Sequence, residues 1–184
     1  MAKARTPRQG WIDEGLRVLA AGGPDAVRVE VLAKNLGVTK GGFYGFFADR
    51  GALLDAMLDD WERRSVDDVV VRVEHEGGAP ASRAVHAREL TFSEELLPID
   101  LAIREWARRD DAIAHRLQLV DEGRIGLLRS LIGTAYSDPV EVEARAVLAM
   151  LTTVGAHFAT LDHGALDGAE VHARLARIVL GEAQ

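Results

Sequence analysis

The sequence predicts an all-α fold, with a small N-terminal unit of three short helices followed by a larger helical bundle. Three observations predict it. Apolar residues recur three and four apart along most of the chain, the spacing of one helix face. No run alternates in the manner of a strand, and the periodic segments are separated by Gly, Pro and Asp-rich breaks. With 184 residues, 48% of them hydrophobic and only 5 prolines, the chain can bury a sizeable core as one domain or two small ones.

The first helix is read in GWIDEGLRVLAAGG, where Ile12, Leu16 and Leu19 share a face and Gly22, Gly23 and Pro24 end the pattern. In RVEVLAKNLG, Val29, Leu32, Ala33 and Leu36 share the next face, and Glu30, Lys34 and Asn35 face water. Gly37 suits a turn that needs positive φ, after which Val38 returns to the core. Thr39 is expected to cap a third helix that starts with Lys40, Gly41 and Gly42. There Phe43 and Phe47, four apart, pack inward together, leaving Lys40, Gly41 and Tyr44 outside. Two short helices around a glycine turn, the second basic and glycine-rich, form the helix-turn-helix pattern, whose second helix enters the major groove. The glycines permit close approach of the backbone to a rigid partner.

Asp49 is expected to cap a longer helix with the stripe Leu54, Met57, Leu58 and Trp61. Further helices are expected over 81–96, 99–108, 111–133, 140–161 and 168–180, after a clear break at 74–82, and Pro98 is read as a separator.

Charge divides along the chain. The net charge is -7, yet residues 1–50 carry eight Lys/Arg against five Asp/Glu and the remainder fourteen against twenty-four. A basic surface can bind phosphates while an acidic remainder weakens indiscriminate binding; an acidic surface with a chance cluster of arginines gives the same totals. The absence of cysteine excludes disulfides, thiolate metal sites and cysteine nucleophiles. The six histidines are scattered without H-E-x-x-H spacing, TKGG is not a phosphate-cradling loop, AAGGPD lacks a surrounding βαβ unit, and no nucleophile elbow occurs. No enzyme activity, cofactor or metal is expected. No leader-like apolar run follows the first charges and no eighteen-residue apolar run occurs, so a cytoplasmic protein without membrane association is expected.

Residues 8 to 60 resemble the DNA-binding domain of the TetR family of transcriptional regulators. The resemblance rests on Leu32-Ala33, the turn Gly37-Val38-Thr39, the pair Phe43-Tyr44, and Phe47 with Arg50 and Leu53, all in register. It departs at Arg28, where Ser or Thr is usual, and at Gly45-Phe46, where a histidine often precedes the last aromatic. The resemblance implies a helix-turn-helix domain at 1–48 and a ligand-binding and dimerisation domain at 49–184. The DNA-binding candidates are Arg28, Thr39, Lys40, Gly41, Gly42, Tyr44 and Arg50. Each has a plainer reading: Lys40 as an ordinary solvated lysine, Tyr44 as a partly buried ring, Arg50 as a helix-start arginine. Arg5 and Arg8 form either an arm toward DNA or a tail.

The last two helices carry apolar faces that an isolated bundle could bury internally, and the resemblance implies that they pair in a homodimer. The dimer candidates are Val147, Met150, Val154, Val171, Leu175 and Ile178. Phe92, Leu96, Trp106, Leu117, Ile125 and Phe158 either line an effector pocket, as the resemblance implies, or form core. The expected function is a dimeric repressor of a double-stranded DNA operator, released by a small-molecule effector. The alternative is an all-helical ligand-binding or interaction protein with weak or lost DNA binding.

Overall fold

In the computed structural model, which describes residues 7–159, 162 and 164–180, every regular element is helical. The helices are α1 Arg8–Gly22, α2 Val29–Asn35, α3 Lys40–Phe43, α4 Arg50–Ser65, α5 Asp67–Glu76, α6 Pro80–Thr91, α7 Leu96–Ala107, α8 Asp111–Ile132, α9 Pro139–Gly155 and α10 Gly168–Leu180, with a 3-10 turn at Pro24–Ala26 between α1 and α2. They form two compact units, one running to Asp67 and including Phe92–Leu119, the other made of Asp68–Thr91 and the chain from Val120 onward. Arg5 lies outside the described residues.

In the first unit α1 packs against α2, α4 and α7. Ile12, Leu16 and Leu19 are buried as their spacing predicts, and Trp11 and Val18 join them. Trp11, Gly15 and Val18 form a second stripe of the same period, which makes α1 apolar over a wide arc and lets it serve as the unit's central helix. From α4, Leu53, Met57, Leu58 and Trp61 are buried, and from α7 Leu96, Ile99 and Ile103. Each large side chain withdrawn from water in this way contributes roughly 1.5–3 kcal/mol. At Gly15 the approach of α1 to α4 is so close that a Cβ would stand 2.5 Å from Met57 Sδ.

Asp49 caps α4 as predicted, its carboxylate accepting from the Ala52 N–H at 2.8 Å. Arg116 on α8 reaches back to both Glu62 and Asp59 of α4. The expected helix over 81–96 ends at Thr91 instead, and the next begins at Leu96, where Ser93 Oγ accepts from the Leu96 N–H. Pro98 is therefore no separator but the third residue of α7. Proline is tolerated there because first-turn N–H groups have no partner within the helix.

In the second unit Val69 and Val73 of α5 pack with Ala87 of α6, and Leu90 and Leu127 close the cluster. Asp138 caps α9 by accepting from the Val140 N–H at 3.0 Å, with Pro139 in the first turn. Helix α9 stops at Gly155, short of the expected 161. Arg145 ties it to α10, donating to the Val179 carbonyl at 2.7 Å while it stacks over Tyr136 with its carbon 4.2 Å from the ring centre. A cation at the terminal carbonyls of α10 complements that helix's dipole.

Candidate nucleic-acid interface

Helix α2 ends in a fully formed glycine cap. Gly37 has φ of 65°, its N–H donates to Lys34 O at 3.1 Å, and the Val38 N–H donates to Ala33 O at 2.9 Å. This is the paired bonding of a Schellman motif, which needs a left-handed residue at the turn and so favours glycine. The turn delivers Thr39 at the head of α3. Thr39 occupies the N-cap position with extended backbone, but its side chain makes no capping bond, a correction to the expected cap. Its hydroxyl therefore remains available on an exposed residue.

Helix α3 is only four residues long. Gly41 and Gly42 give it little intrinsic stability, about 1 kcal/mol less per residue than alanine in a helix interior. Aromatic packing holds it instead. Phe43 is fully buried, edge-on to Trp11 at 5.4 Å and stacked with Phe47 at 5.3 Å. Arg8, considered above as part of an arm or tail, is the first residue of α1 and sits 5.0 Å over the Phe47 ring. Tyr44 turns the other way, 63% exposed, with its ring edge-on to Phe43 at 5.3 Å. One face of this short segment is thus clamped to α1 and the other is presented to solvent.

The presented face carries most of the candidates. Arg28 precedes α2 and is exposed, as are Thr39, Lys40, Gly41 and Tyr44, while Gly42 is half-buried. A Cβ at Gly42 would meet only Trp11 at 3.8 Å, and one at Gly41 only Thr39 Oγ1 at 3.7 Å, so neither glycine is required by packing. Lys40 is not simply solvated, because its Nζ pairs with Glu30 Oε1 at 2.5 Å across the turn. Asn35, expected to face water alone, donates to Glu14 at 2.6 Å and so joins α2 to α1.

Arg50 stands apart from this group. It is half-buried and donates to the backbone carbonyls of Val27 and Pro24, the segment leading into α2. A guanidinium committed to two carbonyls is a clamp between elements rather than a free phosphate ligand. Sequence spacing could not show this, since the partners lie 23 and 26 residues away.

The other candidates separate. Phe92, Leu96, Trp106 and Leu117 belong to the first unit, where Leu96 is buried and the other three are half-buried. Ile125 is half-buried in the second unit, and Phe158 there is 63% exposed, so its ring does not line an interior as expected. Of the dimer candidates, Met150 is buried in its own unit, Val147, Val154 and Val171 are half-buried, and Leu175 and Ile178 are exposed. The outward stripe of α9 is instead Ala144, Leu148, Leu151 and Gly155, continued by Phe158. Among the described residues no group of three His, Asp or Glu is placed to hold a metal ion, and no helix is long and apolar enough to cross a membrane.

Residues 12–57 match the family model described as bacterial regulatory proteins, tetR family. No curated protein shows significant sequence similarity to the chain. Among solved structures, the chain is similar to a transcriptional regulator from Rhodococcus sp. Rha1, with a TM-score of 0.70 and 20% identity over 96% of this chain and 95% of that one. It is similar to AibR, solved in complex with isovaleryl coenzyme A and operator DNA, with a TM-score of 0.64 and 14% identity over 93% and 96%. It is also similar to the fatty acid degradation regulator FadR from Bacillus halodurans, with a TM-score of 0.63 and 17% identity over 97% and 100%. At these identities the structures speak for the fold across nearly the whole chain, while the family model covers the helices that build the reading head. Together they show a tetR-family match over the helix-turn-helix segment and, across nearly the whole chain, the fold of these solved structures.

Proposed function

We propose that this regulator is a dimeric repressor, with an operator-binding domain at residues 1–48 and effector binding and dimerisation at residues 49–184. The observation that carries the reading is the two-sided construction of α3: Phe43 is fully buried against Trp11, while Thr39, Lys40 and Tyr44 point away from that anchor. In this reading Lys40 and Thr39 contact phosphate or base edges, Tyr44 contacts the backbone through its hydroxyl, and Arg28 reaches a flanking phosphate.

A second copy of the chain is the proposed cover for the apolar residues that α9, the turn after it and α10 leave in solvent, Leu148, Leu151, Phe158, Leu175 and Ile178. Pairing supplies the second reading head that a short recognition helix needs for tight, specific binding. AibR was solved with an acyl-coenzyme A and operator DNA together. This supports beginning the effector search with acyl thioesters and their free acids. An effector acts here only through its differential affinity for DNA-competent and DNA-incompetent states, a coupling of about 1–3 kcal/mol.

The test is titration against genomic DNA fragments, including the region flanking the protein's own gene, at physiological salt. A fragment bound well above mixed-sequence duplex supports the reading. No preference for any fragment, in a protein shown to be folded, leaves the all-helical ligand-binding or interaction protein as the better account.

A further inference from the structure

We infer that Glu30 is an intramolecular competitor for DNA, an anion on the reading head that occupies Lys40 in the free protein and must be displaced before Lys40 can reach a phosphate or base edge. The inference rests on the reading of Lys40 as a DNA contact.

Glu30 lies in the first turn of α2 and Lys40 begins α3, so the glycine turn between them folds the two side chains together. Nζ and Oε1 are 2.5 Å apart, with the lysine side chain 54% and the glutamate 61% exposed. Glu30 is thus among the cations proposed for DNA rather than behind them. Arg28, two residues before it, adds a second positive charge that favours its carboxylate form. The bond from Lys40 holds the Glu30 carboxyl below its ordinary range, with a contribution from its own backbone N–H. Three further cations of the head are directed elsewhere: Arg17 pairs with Glu14, Arg50 with backbone carbonyls, and Arg8 with the Phe47 ring.

The consequence is a thermodynamic exchange. When Lys40 leaves Glu30 for a phosphate, DNA releases a counterion, and the abandoned carboxylate, now beside a polyanion, recruits one. The net ion release is smaller than for a lysine with no partner. Exposed ion pairs are worth little, so the effect is a modest penalty applied to every duplex. Its value to a repressor is to weaken indiscriminate binding, which depends wholly on charge, while operator binding keeps its base contacts.

The experiment is a double-mutant cycle with Glu30→Gln and Lys40→Ala, titrated on mixed-sequence duplex and on the flanking-gene fragment at several salt concentrations. Both side chains are exposed, and circular dichroism and thermal melts verify folding of each variant. Glu30→Gln is expected to tighten binding about two- to five-fold and to steepen the salt slope by up to about one ion, and the affinity gain is expected to be markedly smaller when Lys40 is already alanine, because only the carboxylate's repulsion of DNA then remains. An equal gain with and without Lys40 would overturn the inference, showing Glu30 to act as general repulsion. No gain at all also overturns it. If Lys40→Ala alone leaves binding unchanged, the reading of Lys40 as a DNA contact fails, and that single-variant result is distinct from either failure of Glu30.

Discussion

The guanidinium of Arg50 donates to the backbone carbonyl of Val27 at 2.6 Å, so the first residue of α4 holds the segment that leads into α2. The same group donates to the Pro24 carbonyl. Through these bonds α4 sets where the helix-turn-helix begins.

Arg50→Met is expected to lower DNA affinity indirectly, by loosening that segment. Hydrogen bonds to a charged group are worth about 1.5–3 kcal/mol, so the melting temperature falls too. The distinguishing measurement is the salt slope: it stays unchanged for a clamp and drops by about one ion for a phosphate contact.

Gly15→Ala tests the α1–α4 contact. Its Cβ would overlap Met57 Sδ at 2.5 Å, so the fully buried methionine side chain must shift within the core. A loss of about 1–3 kcal/mol is expected, measured by denaturant titration. Wild-type stability in the variant would mean that the helices separate at little cost.

The glycines of α3 are expected to behave differently. Gly41 is exposed and open to a side chain, so Gly41→Leu should fold normally, gain up to about 1 kcal/mol in helix propensity, and lose DNA binding through bulk at the proposed interface. Retained binding in a titration would remove α3 as the element in close contact with DNA.

For assembly, Leu151→Asp combined with Ile178→Asp is the informative variant, because both side chains are 63% exposed. The charges do not disturb the protomer's core but are unfavourable in a dry seam. Sedimentation is expected to show a wild-type dimer and a folded variant monomer with weakened DNA binding. A wild-type monomer at micromolar concentration would end the dimer proposal.

Acid sensitivity follows from carboxylates whose partners hold them in the charged form. Glu14 is lowered chiefly by the bond from Arg17, against the opposing effect of burial and with help from Asn35, and Glu143 is lowered chiefly by Arg129. A lowered folded-state pKa means the stabilisation is complete above the unfolded value of 4.5 and disappears as pH falls through the folded value. Glu14→Gln should therefore flatten the decline of melting temperature below that pH. An unchanged decline would show that other carboxylates control acid unfolding.

The features legible in residue types and spacing are local in origin. The Gly37 turn, the Asp49 cap and the inward pairing of Phe43 with Phe47 depend on backbone conformation and neighbours within a few residues, so they were readable from types and spacing. Periodicity also showed that α9 and α10 carry apolar residues. It could not say which are covered, because an apolar stripe has the same period whether it meets its own core or another copy. Only the packing turned Met150 inward and left Leu151 and Phe158 in solvent. Tertiary structure likewise decided the roles of the charges: Arg50 met carbonyls more than twenty residues back, and Lys40 met Glu30 across the turn. A long charged side chain has several partners within reach, and the fold alone brings one of them into hydrogen-bonding distance.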